Sequence, residues 1–203
     1  MAMNGKERIL AALNIQVPDK VPVWIHAINE TAVVNIGKLI TEDVPDAKPV
    51  NLLSMEEMQK LLEILFIIHE KLEIDGFTAL GLSELMGVKN IDNTRFIDQW
   101  GTTWARSPHG IAYMVQPSVE SPENLNRYTV PDIHDNEGFM VKLAANRFGN
   151  EKAVFFLMRG TFVRSWRIRG MQNLMLDMLE RPDFVHELAE MVTEYNMKIC
   201  RIA

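Results

Sequence analysis

The chain has 203 residues, 47% apolar and 24% charged, with 21 Lys+Arg against 27 Asp+Glu and a formal net charge of −6. That composition suits a soluble globular domain, and its acidity argues against nucleic-acid binding without a dense local basic patch. No apolar run approaches the ~20 uncharged residues of a membrane span, Lys6, Glu7 and Arg8 break any signal-peptide core, and the single Cys200 excludes an internal disulfide.

Residues 5–13 read as a short amphipathic helix with Ile9, Leu10, Ala12 and Leu13 inward. Pro18 and Asp19 end it, and the run VPVWIHA at 21–27 reads as a first buried strand. Ser54 and Glu57 form a capping box that opens a helix to about Leu72, with Met58, Leu61, Leu62, Leu65 and Ile68 on one stripe. GFTALGL at 76–82 is a second strand.

Residues 95–106 and 111–116 alternate loosely and are expected to form a hairpin turning at 107–110. Proline-punctuated loops lead to a helix near 136–148, and AVFFLMR at 153–159 is a third buried strand. Two final helices are predicted. One covers about 163–179; the other opens on Pro182, with Val185, Leu188, Val192, Tyr195 and Ile199 inward.

Uniformly apolar strands separated by helices point to an α/β protein with a parallel sheet covered on both faces. Three strands cannot close a barrel, and an eight-stranded one takes ~250 residues. The expectation is therefore one partial domain whose remaining strands lie outside this chain, soluble and cytoplasmic.

Candidate chemistry gathers where strands end, because reacting groups in parallel architectures collect at the carboxyl edge. His26 follows Trp24 on one face of the first strand and could contact substrate or simply hydrogen-bond beneath a loop. Glu84, just beyond the second strand, could act on substrate or stand as a solvated carboxylate. Asp98, Trp100 and Trp104 fall in the hairpin, where paired indoles more often cover a core.

Arg159, Arg164, Arg167 and Arg169 lie where the third strand hands over to its helix. Guanidinium forks bind carboxylate or phosphate, so one or two could hold an anionic substrate while the others pair with acidic loops. The stretch from Asp132 through His134 to Gly138 misses the D-x-H-x-x-G pattern of cobalt-ligating corrinoid proteins, since Glu137 stands where glycine is required. It reads as a loop. Cys200 is expected to be a buried thiol, and Met171, Met175 and Met178 to fill a core.

Three segments together resemble the uroporphyrinogen decarboxylase superfamily: KERILAALN at 6–14 running through PDKVPVW at 18–24, DQWGTTW at 98–104, and RGTFVRSWRIRGMQNLMLDMLERPDF at 159–184. The resemblance spans nearly the whole chain but only the amino-terminal part of a family member. It implies the amino-terminal portion of a (β/α)8 barrel with an inserted β-hairpin. The superfamily holds decarboxylases of the haem pathway and corrinoid-linked methyltransferases.

The decarboxylases carry P-V-W-F-M-R-Q-A-G-R, whose arginines bind substrate carboxylates. Here Pro22, Val23 and Trp24 match, but the arginine positions read Ala27 and Thr31. The aspartate that gathers the pyrrole N–H groups falls near Thr78, and a later tyrosine is replaced by Trp166. Losing charge-assisted bonds of ~1.5–3 kcal/mol each disfavours a poly-anionic porphyrinogen. The methyl-transfer branch is the better match.

That branch implies a small methylated or anionic substrate positioned by Trp24, His26, Glu84, Arg159, Arg164 and Trp166. It also implies a partner corrinoid protein, with any zinc held by a His-x-Cys pair and a later Cys beyond this chain and no cofactor bound within it. The competing reading is a non-catalytic half-barrel that binds or assembles, with a homodimer covering its sheet edges.

Overall fold

A computed structural model describes residues 2–107 and 111–202. The chain divides into two units, one comprising Met1–Leu80 and Phe139–Leu157 and the other Gly81–Gly138 and Met158–Ala203.

The first unit opens with helix α1 (Gly5–Leu13), where Asn4 caps the helix by accepting from the Glu7 N–H and Glu7 reaches back to the Asn4 N–H. Its inward residues are Gly5, Ile9 and Ala11; Leu10, Ala12 and Leu13, expected inside, face solvent. Helix α2 (Glu30–Gly37), capped by Asn29, was not anticipated. Helix α3 (Met55–Lys71) begins at the predicted capping box, with the Ser54 hydroxyl accepting from the Glu57 N–H. It buries Leu61, Ile64, Phe66, Ile68 and His69, a wider face than the single predicted stripe because it packs on two sides. One side meets Val33 and Val34 of α2. The other meets strand β1 (Gly76–Leu80) and helix α5 (Phe139–Phe148).

The second strand is confirmed as β1, and the third is strand β6 (Ala153–Leu157), preceded by helix α5 (Phe139–Phe148). They pair in parallel in the register Gly76–Ala153 to Leu80–Leu157. The predicted first strand is corrected: residues 21–27 make a single parallel bridge, Trp24 to Gly76. Pro22 lacks an N–H, and Val21 and Val23 are exposed, so neither the ladder nor burial extends along it.

What docks the segment instead is Asp75. Its buried carboxylate accepts from the Val23 N–H at 2.7 Å and from Arg8 at 2.9 Å. Gly76 is needed where the three segments meet, because a Cβ there would lie 2.8–3.0 Å from Phe155, Ile9 and Trp24.

The second unit carries short helix α4 (Leu82–Met86) and strands β2 (Lys89–Asn90), β3 (Arg95–Ile97), β4 (Thr103–Arg106) and β5 (Ala112–Gln116), which form an antiparallel meander in that order. The β4–β5 hairpin is as expected, though three residues of its turn, 108–110, lie outside the described residues. The limb predicted at 95–106 is broken by a turn in which Asp98 accepts from the N–H groups of Trp100 and Thr102.

The helix predicted at 163–179 is two helices, α6 (Thr161–Arg169) and α7 (Met171–Glu180). Gly170 between them has φ +86°, a conformation that breaks the helical path and suits glycine. Helix α8 (Pro182–Ile202) starts on its proline as predicted and buries Phe184, Leu188, Val192, Tyr195 and Ile199, leaving Val185 half-buried. Met171, Met175 and Met178 are exposed rather than core filler, and Cys200 is exposed rather than buried, its thiol donating to Met158 Sδ at 3.3 Å. Among the described residues, no helix is long and apolar enough to cross a membrane.

Candidate functional site

The second unit concentrates charge inside. Arg159 lies two residues beyond β6, ahead of α6, and Arg164 lies in the middle of α6. Glu84, on α4, is shared by both: one carboxylate oxygen accepts from Arg159 Nε at 3.3 Å and the other from Arg164. The two guanidiniums differ in environment. The Arg164 side chain is 4% exposed and its guanidinium lies 4.5 Å over the Trp100 ring, whereas Arg159 is 41% exposed. Burial and the neighbouring Arg167 pull the Arg164 pKa down to about 9, a value at which it still carries its charge at neutral pH.

Glu84 thus compensates the buried Arg164, and Arg159 is the more exposed of its two partners. Its backbone is fixed by Asn196, whose amide donates to the Arg159 carbonyl at 3.1 Å.

A neighbouring group is built on Asp98. Its Oδ2 accepts from Trp104 Nε1 at 2.9 Å and stands 3.9 Å from Arg167, while burial raises the carboxyl pKa. Arg167 lies 4.1 Å over the Trp104 ring, and Trp166 meets Trp104 edge-on at 6.3 Å. Burial first, and the positive charge of Arg159 second, lower Arg167 to about 10. Arg169 does not join this set. It is buried in a bond to Asp177 at 2.7 Å and donates to the Val119 and Glu120 carbonyls, which ties α6 to α7 and to the loop after β5.

In the first unit, Trp24 stacks on Phe155 at 4.4 Å and donates from Nε1 to Thr78 Oγ1 at 3.0 Å. His26 is exposed in a bend, edge-on to Trp24 at 5.9 Å. Of the six residues singled out from sequence, the structure therefore brings Glu84, Arg159 and Arg164 into one ion-paired group. Trp166 belongs with Trp104 and Arg167, and Trp24 and His26 pair in the other unit.

Sequence reasoning missed Glu137, Ser83 and Tyr195 as polar members of the second unit. Glu137 is 0% exposed, and its Oε2 accepts from the Ser83 N–H at 3.3 Å. It sits in a loop segment with no periodicity to mark it as internal. The periodicity of α8 marks Tyr195 only as an inward position. Among the described residues, no group of three or more His, Cys, Asp or Glu side chains could hold a metal ion.

No protein-family model matches the chain, and no curated protein matches its sequence. A solved structure of a methyltransferase from Methanosarcina mazei is similar in fold, with a TM-score of 0.62 at 15% identity. The match covers 98% of this chain and 55% of that one, so this chain spans about half the length of its structural neighbour. The likeness is one of fold, a mixed α/β architecture.

Proposed function

We propose that the chain corresponds to the amino-terminal part of a (β/α)8 barrel of the methyl-transfer kind, in which Arg159 receives the anionic end of a small methylated substrate. Two lines support the class. One is the resemblance of three sequence segments to the uroporphyrinogen decarboxylase superfamily; the other is a fold neighbour bearing the name methyltransferase.

The observation that carries the site is the unequal sharing of Glu84. Arg164 is buried against it, and Arg159 is bonded to it more loosely and is open to solvent. A substrate carboxylate would take the place of Glu84 on Arg159 and leave the Glu84–Arg164 pair intact. The alternative porphyrinogen substrate finds no support in the positions of Ala27 and Thr31.

The methyl acceptor in this reading is a corrinoid carried by a partner protein. The described side chains offer no zinc ligand set. The test is to incubate a full-length version, extended through the remaining barrel strands, with small methylated acids and free cob(I)alamin and follow the corrinoid absorbance. Protein-dependent methylation that falls at least tenfold in Arg159→Gln is expected. Conversion of uroporphyrinogen to coproporphyrinogen without methylation of the corrinoid would overturn the reading in favour of the decarboxylase.

A further inference from the structure

Helix α7 packs inward through Leu174 and Asp177, both 0% exposed, yet most of its apolar side chains point elsewhere. Met171, Met175, Met178 and Leu179 recur at the i, i+4, i+7 and i+8 spacing by which a helix packs on a neighbour. All four are exposed, Met175 to 50% and Leu179 to 83%. On a helical wheel they form a stripe about 100° wide, as broad as the face a surface helix turns to its own core. Gln172, Asn173 and Glu180 lie on the polar side. Unbranched methionines adapt to the surface they meet, and a contiguous exposed apolar patch marks a place of association.

The charges at the ends of α7 point to the occupant. Its N-terminus, at Gly170, has no capping side chain and no acid in the first turn, whereas the last turn has no basic residue and carries Glu180. The Glu180 carboxylate is exposed beside the half-exposed Arg181, 3.2 Å away. An acid is favourable at the positive N-terminus of a helix and unfavourable at the negative C-terminus. A second α7 laid antiparallel along the stripe answers both ends. With Met175 opposite Met175 of the second copy, Met171 lies against Leu179, and each Glu180 reaches the uncapped N-terminus of the other helix.

We infer that the stripe from Met171 to Leu179 is a self-association surface, through which two copies of the chain pair α7 to antiparallel α7 about a twofold axis. Such a contact uses the same patch on both copies and therefore closes at two. The stripe offers on the order of 400 Å² per copy, and with its polar rim the contact nears the roughly 1,000 Å² at which specific interfaces begin. The dimer is accordingly a reversible one. A lipid surface is a poorer occupant, because the polar side carries Glu180 and the chain has a net charge of −6, neither of which attracts anionic headgroups. The inference is independent of the substrate proposed for Arg159.

Sedimentation equilibrium of the full chain tests it, with a reversible monomer–dimer equilibrium as the expected result. Met175→Lys sets two like charges against each other at the axis and should weaken the dimer at least tenfold. Glu180→Gln should weaken it about threefold, a loss that shrinks at high salt as the charge is screened. Leu176→Lys, at a 54% exposed position of the same helix but off the stripe, should leave the constant within about twofold. All three positions are exposed, so each variant keeps its fold. In a Cys200→Ser background, Met175→Cys should cross-link two copies on oxidation and Leu176→Cys should not. A monomer at every concentration, a dimer that survives Met175→Lys, an equal loss in Leu176→Lys, or assembly that continues past two copies would each overturn the inference.

Discussion

In the first unit the core formed by α3, β1 and α5 is almost wholly apolar: Phe66, Phe77, Ala79, Ala144 and Phe148 pack as one cluster, and His69 and Asp75 are its buried polar residues. The second unit encloses Ser83, Thr102, Glu137, Arg164, Ser165, Arg169 and Asp177. Hydrophobic burial accounts for the stability of the first unit. Buried charges give the second little net stability, because desolvation offsets most of their attraction. What they give is geometry, and a site for an anion requires guanidiniums and carboxylates held at fixed places.

The contrast is broken most sharply by matched truncations. Phe77→Ala in the first unit and Arg169→Met in the second should each cost about 3 kcal/mol or more, the former by opening a cavity and the latter by leaving the buried Asp177 carboxylate with the half-exposed Arg181 alone and by removing the donor to the Val119 and Glu120 carbonyls. Adding Asp177→Leu to Arg169→Met should recover part of the loss, since an apolar pair can replace a buried ion pair while the Val119 and Glu120 carbonyls still lack their donor. No second substitution of that kind refills the Phe77 cavity. Chemical unfolding followed by tryptophan fluorescence resolves the difference, because Trp24 is the only one of the four tryptophans in the first unit.

Acid separates the units next. His69 is buried, its Nδ1–H donates to the Leu65 carbonyl, and burial lowers its pKa from 6.5. The unfolded imidazole then binds a proton that the folded one refuses, so stability is complete above about pH 6.5 and declines as pH falls from there towards the folded value. His69→Phe should flatten the Trp24-reported stability between pH 7 and about 5; an unchanged slope would assign the loss to another group. The smallest effect is expected at the surface, where Ser54→Ala removes the α3 cap and should cost about 1 kcal/mol in thermal unfolding.

Periodic and capping signals made much of this architecture legible. The Ser54–Glu57 box, the Pro182 start of α8 and the runs that became β1 and β6 depend on local chemistry, and they appear where that chemistry places them. The apolar run around Trp24 predicts a strand where only a bridge forms, because such a run does not reveal whether a ladder extends along it. The break at Gly170 was missed because a glycine at that point is compatible with a helix until its φ is known.

The site followed the same division. Arginines clustered after an apolar strand were visible as a group, and so was Glu84. That Glu84 bridges Arg159 and Arg164 depends on residues 75 and 80 positions apart, a distance at which no periodicity operates. Glu137 was hidden for a related reason, since a carboxylate in a loop is ordinarily solvated and only tertiary packing encloses it.

The most direct measurement is the affinity of the protein for methoxyacetate against its uncharged amide, methoxyacetamide, in the wild type and in Arg159→Gln. The account predicts at least tenfold preference for the acid in the wild type, erased by the substitution. Equal affinity for acid and amide, or a preference that survives without the Arg159 guanidinium, would contradict it.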